Sequence, residues 1–535
     1  MIRARHALLA LSAAALLGAA SYSPQWAVEA QGRPPGQLPG FPKSEPDHYN
    51  LGPIGGKATL ESRPPGLKVT SLVAGAPGEK GGLAQGDCIT GAAGKAFKVD
   101  PYLELGLAIE EAEAQAKSAK LKLSVERGGK TSEIEVTLTA FGKEAKAFPG
   151  GKMRDRIVDD ALAWLARRQQ GDGSWECHLS AVNGQVCMTA LCGLAFVACG
   201  NTAEKGTYAA NVKKAAQFVI ANIGQEGGFG AMGGGGGGNW NQTNWGLGYG
   251  GMFLAQVELL SPVKGAREKL IWVRDTILKN MEDSGGWAHG PGGPNALGYL
   301  ELEIVSNYVL SALGGIQALG IDVDKSRIDK ALAYIQKCGG GGPGVGYSTK
   351  PGQVGMGDVG RTAGAVAAFA ALGRTDHPYY KPMVGFTAAN LRKIKDGHVS
   401  PMMHWLAAAL ACRREGGKIW EAFWETQRQE CTMLRMPDNT FTARPTDESA
   451  TLGKNNDRDL GPAWCTAHWV IILGLERDHL TLWLGKSKGA RPKPDSKGPV
   501  TSDKKPEPKK EKTPEEIEAE REKERKKALE DAMKD

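Results

Sequence analysis

The chain has 535 residues and a net charge of +7, and its 73 glycines are near twice the usual share of about 7%. About half of that charge sits in the N-terminal leader and the C-terminal tail, so the body between them is only slightly basic and a nucleic-acid partner is not indicated. Its length allows two or three domains with a large core. The nine cysteines are an odd number and show neither a Cys-x-x-Cys pair nor a Cys/His zinc spacing, so no metal and no other cofactor is expected.

Residues 1–30 read as a secretory signal peptide. Arg3, Arg5 and His6 precede an apolar run from Ala7 to Ala20 that is too short to span a bilayer, and Val28-Glu29-Ala30 fits a small-residue cleavage site, with Gly18-Ala19-Ala20 as the alternative. The expectation is a bacterial exported protein, periplasmic or extracellular, with no integral membrane span after cleavage; retention as an uncleaved anchor is the other reading. Residues 31–48 are too rich in proline to pack and read as a linker.

Residues 49–142 combine short alternating strands, Leu121–Val125 and Ile134–Leu138 among them, with a helix from Pro101 to Ser118. A strand, the turn Gly75-Ala76-Pro77-Gly78, a short helix ending at Gly82-Leu83, and Gly86-Asp87-Cys88-Ile89 opening the next strand follow in the order of a PDZ domain, which this segment resembles. That resemblance implies an extended peptide or protein segment added as a strand, with its carboxylate at the loop of Leu51, Gly52 and Ile54. Pro53 departs from the pattern, since it has no N–H to donate where the family has an amide. A structural module docked on the next domain is the competing reading. No Gly-x-Ser-x-Gly or trypsin-like triad accompanies it.

From residue 150 to 485 the chain reads as about six helical hairpins. Asp160 to Trp175 is an amphipathic helix ended by Gly171 and Gly173, with Gln169 placed to bond the terminal carbonyls and Trp175 to fold back on the helix end. Units ending in Phe229, Trp287 and Tyr347 repeat it, and Asp438-Asn439-Thr440-Phe441 echoes Asp172-Gly173-Ser174-Trp175. First helices such as Val212–Ile223 and Arg327–Gln336 are amphipathic. Second helices (Val186–Cys199, Asn244–Leu260, Glu303–Leu319, Val359–Leu372, Pro401–Cys412, Ala463–Leu473) are apolar all round, and such helices are buried on every side. An inner ring inside an outer ring follows. The Gln and Gly-x-Trp pattern resembles the QW motif of the squalene-cyclase and protein-prenyltransferase superfamily, which implies an (α/α)6-type toroid.

Loops entering the inner helices would surround the mouth of a central cavity, and they hold the unusual polar residues. Candidate catalytic groups are Glu303, Asp358, Arg361, His404 and His468; candidate cavity residues are Asn244, Trp245, Glu301, Asn307, His398, Asp457 and Trp464, with Asn239, Asn241, Asp459 and Cys465 nearby. Asp358 and Arg361 also fit a helix cap with an i, i+3 pair. Cys465 and His468 share a helix face, enough for two metal ligands but not for a site. Cys177 and Cys187 flank a short loop and are a candidate pair, whose connectivity sequence alone does not fix.

The family's chemistry is incomplete here. Asp322-Val323-Asp324-Lys325 and Asp457-Arg458-Asp459-Leu460 both lack the last acid of Asp-x-Asp-Asp, and a prenyltransferase zinc triad has no Asp-x-Cys member. Residues 486–535 form a Lys/Pro/Glu-rich tail, disordered or charged-helical. The whole reads as multidomain α+β: a bacterial exported protein joining a PDZ-like domain to a squalene-cyclase-like or prenyltransferase-like toroid. The leading function is a binding or scaffold protein whose toroid holds a ligand, an apolar small molecule or a glycan. The alternatives are an enzyme acting on an isoprenoid or other lipid, and a polysaccharide lyase or glycoside hydrolase.

Overall fold

A computed structural model describes residues 48–145, 151–177, 181–225, 242–291, 301–398, 400–446 and 455–485. The signal peptide, nearly all of the linker, Phe229, Asn239, Asn241 and the tail from Lys486 onward lie outside them. The described residues fall in one compact unit.

The N-terminal part is an antiparallel sheet domain. Its strands are β1 (Tyr49–Asn50), β2 (Gly56–Ser62), β3 (Pro65–Leu72), β4 (Cys88–Ala92), β5 (Lys95–Ala96), β6 (Ala119–Arg127) and β7 (Lys130–Leu138), in the order β1-β2-β3-β4-β6-β7 with β5 paired to β4. Helix α1 (Pro77–Lys80) follows β3, and α2 (Pro101–Glu113) crosses before β6. Helix α2 starts where Asp100 accepts from the N–H groups of Tyr102 and Leu103, both at 3.1 Å, with Pro101 at its first position. Alternate residues of β6 (Ala119, Leu121, Leu123, Val125) pack with Leu105 and Ile109 of α2 in the domain's core.

The rest is helical. Outer helices are α3 (Gly151–Arg168), α5 (Ala209–Asn222), α7 (Ala266–Lys279), α9 (Lys325–Cys338), α11 (Tyr380–Ala389) and α13 (Gly417–Leu434); inner helices are α4 (Ala181–Ala198), α6 (Thr243–Leu260), α8 (Glu303–Ala318), α10 (Val359–Ala371), α12 (Pro401–Glu415) and α15 (Pro462–Gly474), the last preceded by a single turn, α14 (Asn456–Leu460). Each inner helix packs on the next and α15 returns to α4, which closes the ring, while the outer helices lie against its outside. This is an α/α toroid. Small residues let the inner helices meet: a side chain on Gly314 of α8 would strike the backbone of Ala371 at 2.5 Å.

The hairpin turns repeat one device. Trp175 donates its indole N–H to Leu165 O at 2.9 Å and Trp287 donates to Ile277 O at 2.7 Å, so the indole itself satisfies a carbonyl in the last turn of the preceding helix. Gly173 and Gly285 both take φ +95°, where a side chain would also meet the carbonyls of Lys214 and Lys330. The backbone N–H groups of Trp175, Trp287, Val345 and Phe441 each donate to a hydroxyl on the next inner helix, of Thr189, Ser306, Thr362 and Thr466. Asp438 repeats Asp172: each accepts the N–H and the hydroxyl of the residue two further on, Thr440 and Ser174.

Two sequence expectations need correction. Gln169 bonds no carbonyl of the helix itself but that of Gly173 in the turn that ends it, at 2.9 Å, and it also exchanges hydrogen bonds with Asn211 (2.6 and 3.0 Å) and so staples α3 to α5. In the fourth unit Val345, not Tyr347, stands in the position of Trp287. Among the described residues no disulfide forms, and Cys177 and Cys187 both keep their thiols.

The sheet domain is seated on the C-terminal end of α13. Met433 is fully buried in the sheet domain's core, and Asn50 Nδ2 donates to Met433 O at 2.7 Å. Around it, Arg435 pairs with Glu113 at 2.5 Å with both side chains buried, and Arg428 pairs with Glu110 at 2.9 Å. Arg444, held by Glu430 at 2.5 Å, lies over the rings of Tyr102 and Tyr49 at 4.9 and 5.6 Å. Burial of Met433 alone contributes about 1.5–3 kcal/mol.

Candidate functional site

The axis of the ring holds an apolar cavity of about 50 Å³. Leu194, Met252, Leu410 and Ile471 line it, and its floor is Leu480 and Trp483, brought across the ring by the last described segment with the short helix α16 (Thr481–Leu484). Gln256 of α6 fixes that segment, donating to His479 O and Thr481 Oγ1 and accepting from the Leu482 N–H at 3.0 Å. Since one water needs about 10–15 Å³ of such space, the cavity has room for no more than a few waters, far below the ~300–1,000 Å³ of a ligand pocket.

Four of the candidate catalytic residues meet beside this cavity, at the N-terminal ends of α8, α10 and α12. Asp358 caps α10 by accepting the Arg361 N–H at 2.8 Å; its other carboxylate oxygen is 3.9 Å from the Arg361 guanidinium, and His404 Nδ1 lies 3.5 Å from Asp358 Oδ1. Burial alone would raise the Asp358 carboxyl, but His404 and Arg361, with backbone N–H donors, hold it below the usual range. Gly360 and Gly397 flank the imidazole of His404 so closely that a side chain on either would come within 2.4 Å of it.

Glu303 is fully buried and accepts from Asn307 Nδ2 at 2.6 Å, while its Oε2 and Asn307 Oδ1 have no partner among the described residues. Burial pushes its carboxyl well above the usual range, outweighing the pull of Arg361 and the Asn307 hydrogen bond. A protonated acid near an ionised one is the pattern that divides acid and base roles. Here, however, only Asn307 and His404 of this group are among the residues that line the cavity; neither carboxyl does.

The fifth candidate, His468, is elsewhere. It lies on α15, fully buried, with Nδ1 2.9 Å from Trp464 O and its ring against the Trp464 indole, and burial drops it to about 4. Asp457 is a structural cap: it accepts from Ser400 Oγ (2.5 Å), the Met402 N–H (2.9 Å) and Trp464 Nε1 (2.9 Å), and burial lifts it to about 6 against those donors. The Cys465 thiol donates to Asp457 O. Asn244 ties α6 to the turn before α8 through Ala288 O and Asn280, Glu301 is half-buried just ahead of α8, and His398 is exposed with its ring edge-on to Tyr347. Among the described residues no group of three or more His, Cys, Asp and Glu side chains gathers for a metal.

Above the axial cavity, at the N-terminal ends of the inner helices, a mouth of about 160 Å³ opens. Trp245, Trp464, Asn183, Gln242, His289 and Asn456 line it, and Tyr249 and Met403 are shared with the cavity below. Trp245 Nε1 donates to His289 Nδ1 at 2.7 Å, which leaves the ring's proton on Nε2, and burial drops this histidine to about 4, so it is neutral. Trp245, Tyr308, Tyr249 and Trp464 form a file of rings at 5.7, 4.5 and 5.8 Å. Trp245 and Trp464 were legible as mouth residues. Asn183, Gln242, His289 and Asn456 were not, although helix-start register would have pointed to three of them.

The candidate peptide loop is covered. Leu51, Gly52 and Ile54 are buried, and a side chain on Gly52 would meet Thr432 O at 3.1 Å and Ile109 at 3.3 Å. The face between this loop and α2 is filled by Thr432 and Met433 of the same chain.

Fold and site together define an α/α-toroid protein with an N-terminal antiparallel sheet domain. Residues 154–483 match the family described as Domain of unknown function (DUF6288), and the chain belongs to that family. None of the curated proteins matches it. Solved structures similar to it include the GH76A α-1,6-mannanase from Salegentibacter sp. HEL1_6 (7% identity, TM-score 0.43, covering 61% of this chain and 99% of that one) and the unsaturated glucuronyl hydrolase from Bacillus sp. GL1 (14%, 0.43, 63% and 100%). The type II terpene cyclase MstE from Scytonema is another (13%, 0.36, 61% and 99%). At these scores the likenesses carry no argument about mechanism.

Proposed function

We propose that the protein is an exported binding protein in which the toroid is a closed scaffold, carrying a PDZ-like domain on one flank and receiving a ligand at its mouth. The observation that carries this reading is the axis of the ring, narrowed to about 50 Å³ and floored by Leu480 and Trp483. An isoprenoid enzyme needs a long apolar cavity there, and acid–base chemistry needs Glu303 and Asp358 to face one. The PDZ-like groove is read as filled in cis by Met433, so a peptide or protein partner would have to displace Thr432 and Met433. Export rests on the leader; among the described residues no helix is long and apolar enough to cross a membrane.

A glycan lyase or hydrolase is the second reading, and one observation favours it over the lipid enzyme: the mouth joins indole rings to neutral amide side chains, a lining suited to a sugar residue. Native mass spectrometry of the purified protein, with metal analysis and with titration by isoprenoids and oligosaccharides, tests the assignment. Binding without turnover, weakened by Trp245→Ala, is expected. Cleavage of an oligosaccharide that is lost in Asp358→Asn, or a copurifying isoprenoid, overturns it.

A further inference from the structure

We infer that the outer face of the sheet domain, around the groove between α2 and the β4–β5 turn, is where a second copy of this chain docks across a two-fold axis. The ring takes one side of α2: a side chain on Gly106 would meet Met433 at 3.1 Å, and Glu110 and Glu113 pair with Arg428 and Arg435. Glu104, Leu107 and Glu111 recur at helical spacing on the other side. They form one wall of a groove of about 160 Å³ whose opposite wall carries Ala93 and Lys95, with the buried Phe97 and Ala108 completing the lining.

The face is apolar and rigid. Val99 is 90% exposed, more than any other large apolar side chain among the described residues; Leu107 is 45% exposed, and Ala93 and Ala96 are exposed as well. The outward pose of Val99 is fixed, because the N–H groups of Lys98, Val99 and Asp100 all donate to the Glu104 carboxylate at 2.9–3.2 Å while Asp100 caps α2. An apolar side chain on a turn already ordered loses little freedom when it is covered, which suits it to anchor a partner. Charge selects the partner. Lys95 stands on the sheet wall and Glu111 on the helix wall, and neither forms an ion pair among the described residues, whereas Glu104 is engaged by the turn. A two-fold axis lying along the groove sets each wall of one copy against the opposite wall of the other, so Lys95 of each copy meets Glu111 of the other. An axis across the groove would oppose like charges.

Sedimentation velocity and multi-angle light scattering of the full chain over a concentration series test the proposal, on the wild type, Val99→Asp, Lys95→Glu, Glu111→Lys and the double variant Lys95→Glu with Glu111→Lys. Lys95, Val99 and Glu111 are exposed, so every variant keeps the fold, and circular dichroism checks it. The wild type is expected as a dimer that dissociates on dilution, and Val99→Asp as a monomer throughout, since it buries a carboxylate from each copy. Each single reversal opposes like charges twice and lowers the dimer affinity roughly tenfold or more; the double reversal exchanges the walls and restores it. A wild type that is monomeric at every concentration, a dimer unmoved by Val99→Asp or by the single reversals, or a double variant no tighter than the single ones overturns the proposal.

Discussion

Two sets of buried acids in this molecule are handled in opposite ways. At the seam between sheet domain and ring, Glu113 and Glu430 each meet an arginine at 2.5 Å. Inside the ring, Glu303 and Asp457 are hydrogen-bonded by neutral donors, and burial lifts both carboxyls. Burial lifts Glu430 as well, in spite of Arg444, so what separates the two sets is the counter-charge: a buried charge is costly without one, and the matched pairs lie where two bodies lock in one register. The seam is therefore a fastening. The ring interior is a packed wall, which agrees with a scaffold more than with a catalytic chamber.

That contrast can be broken most severely at the seam. Glu113→Ala leaves the buried Arg435 guanidinium without its counter-charge, with Asn439 Oδ1 and the Phe141 ring beside it, and should cost about 3–5 kcal/mol in urea unfolding; the double replacement Glu113→Met with Arg435→Met should recover much of it. A loss below about 1 kcal/mol would show that the pair holds nothing. Met433→Ala empties the sheet domain's core from the ring side, with an expected loss of about 2–5 kcal/mol and faster proteolysis between the two parts.

Within the ring the effects are smaller and depend on pH. His468 is held at about 4 against its ordinary 6.5, so the unfolded chain binds the extra proton in between; its contribution is whole above pH 6.5 and is lost as pH falls through 4, by about 3 kcal/mol. His468→Phe should remove that part of the acid loss, read as a flatter stability curve between pH 7 and 4; an unchanged slope contradicts it. Glu303 has the opposite sign. Its raised carboxyl costs stability as pH rises above the unfolded value of 4.5, so Glu303→Gln should match the wild type within about 1 kcal/mol at acid pH and gain on it as pH rises.

Helices were the legible part of the fold. Inner segments such as Asn244–Leu260 and Glu303–Leu319 are apolar on every face, and that composition admits few places other than the inside of a ring. The Asp172 and Asp438 turns were readable because an Asx turn is local in sequence. Tyr347 misled because Gly346-Tyr347 mimics the motif while the buried position belongs to Val345, a choice made by packing against α10. Of the candidate site, repeat register put Glu303, Asp358, Arg361, His404 and His468 together; the structure brings the first four to neighbouring helix starts and leaves His468 elsewhere, and which way each faces was not legible. Met433 was invisible as an anchor: at the end of an ordinary amphipathic helix, nothing local says that it belongs to another domain's core. The same holds for Trp483, which closes a ring begun more than three hundred residues earlier.

The central claim is that sheet domain and toroid are one body, fastened at Met433 and Glu113–Arg435. Differential scanning calorimetry of the full chain tests it most directly. The account predicts one cooperative transition with equal calorimetric and van't Hoff enthalpies, moved as a whole by Met433→Ala. Two separate transitions, only the smaller of which responds to Met433→Ala, would contradict it.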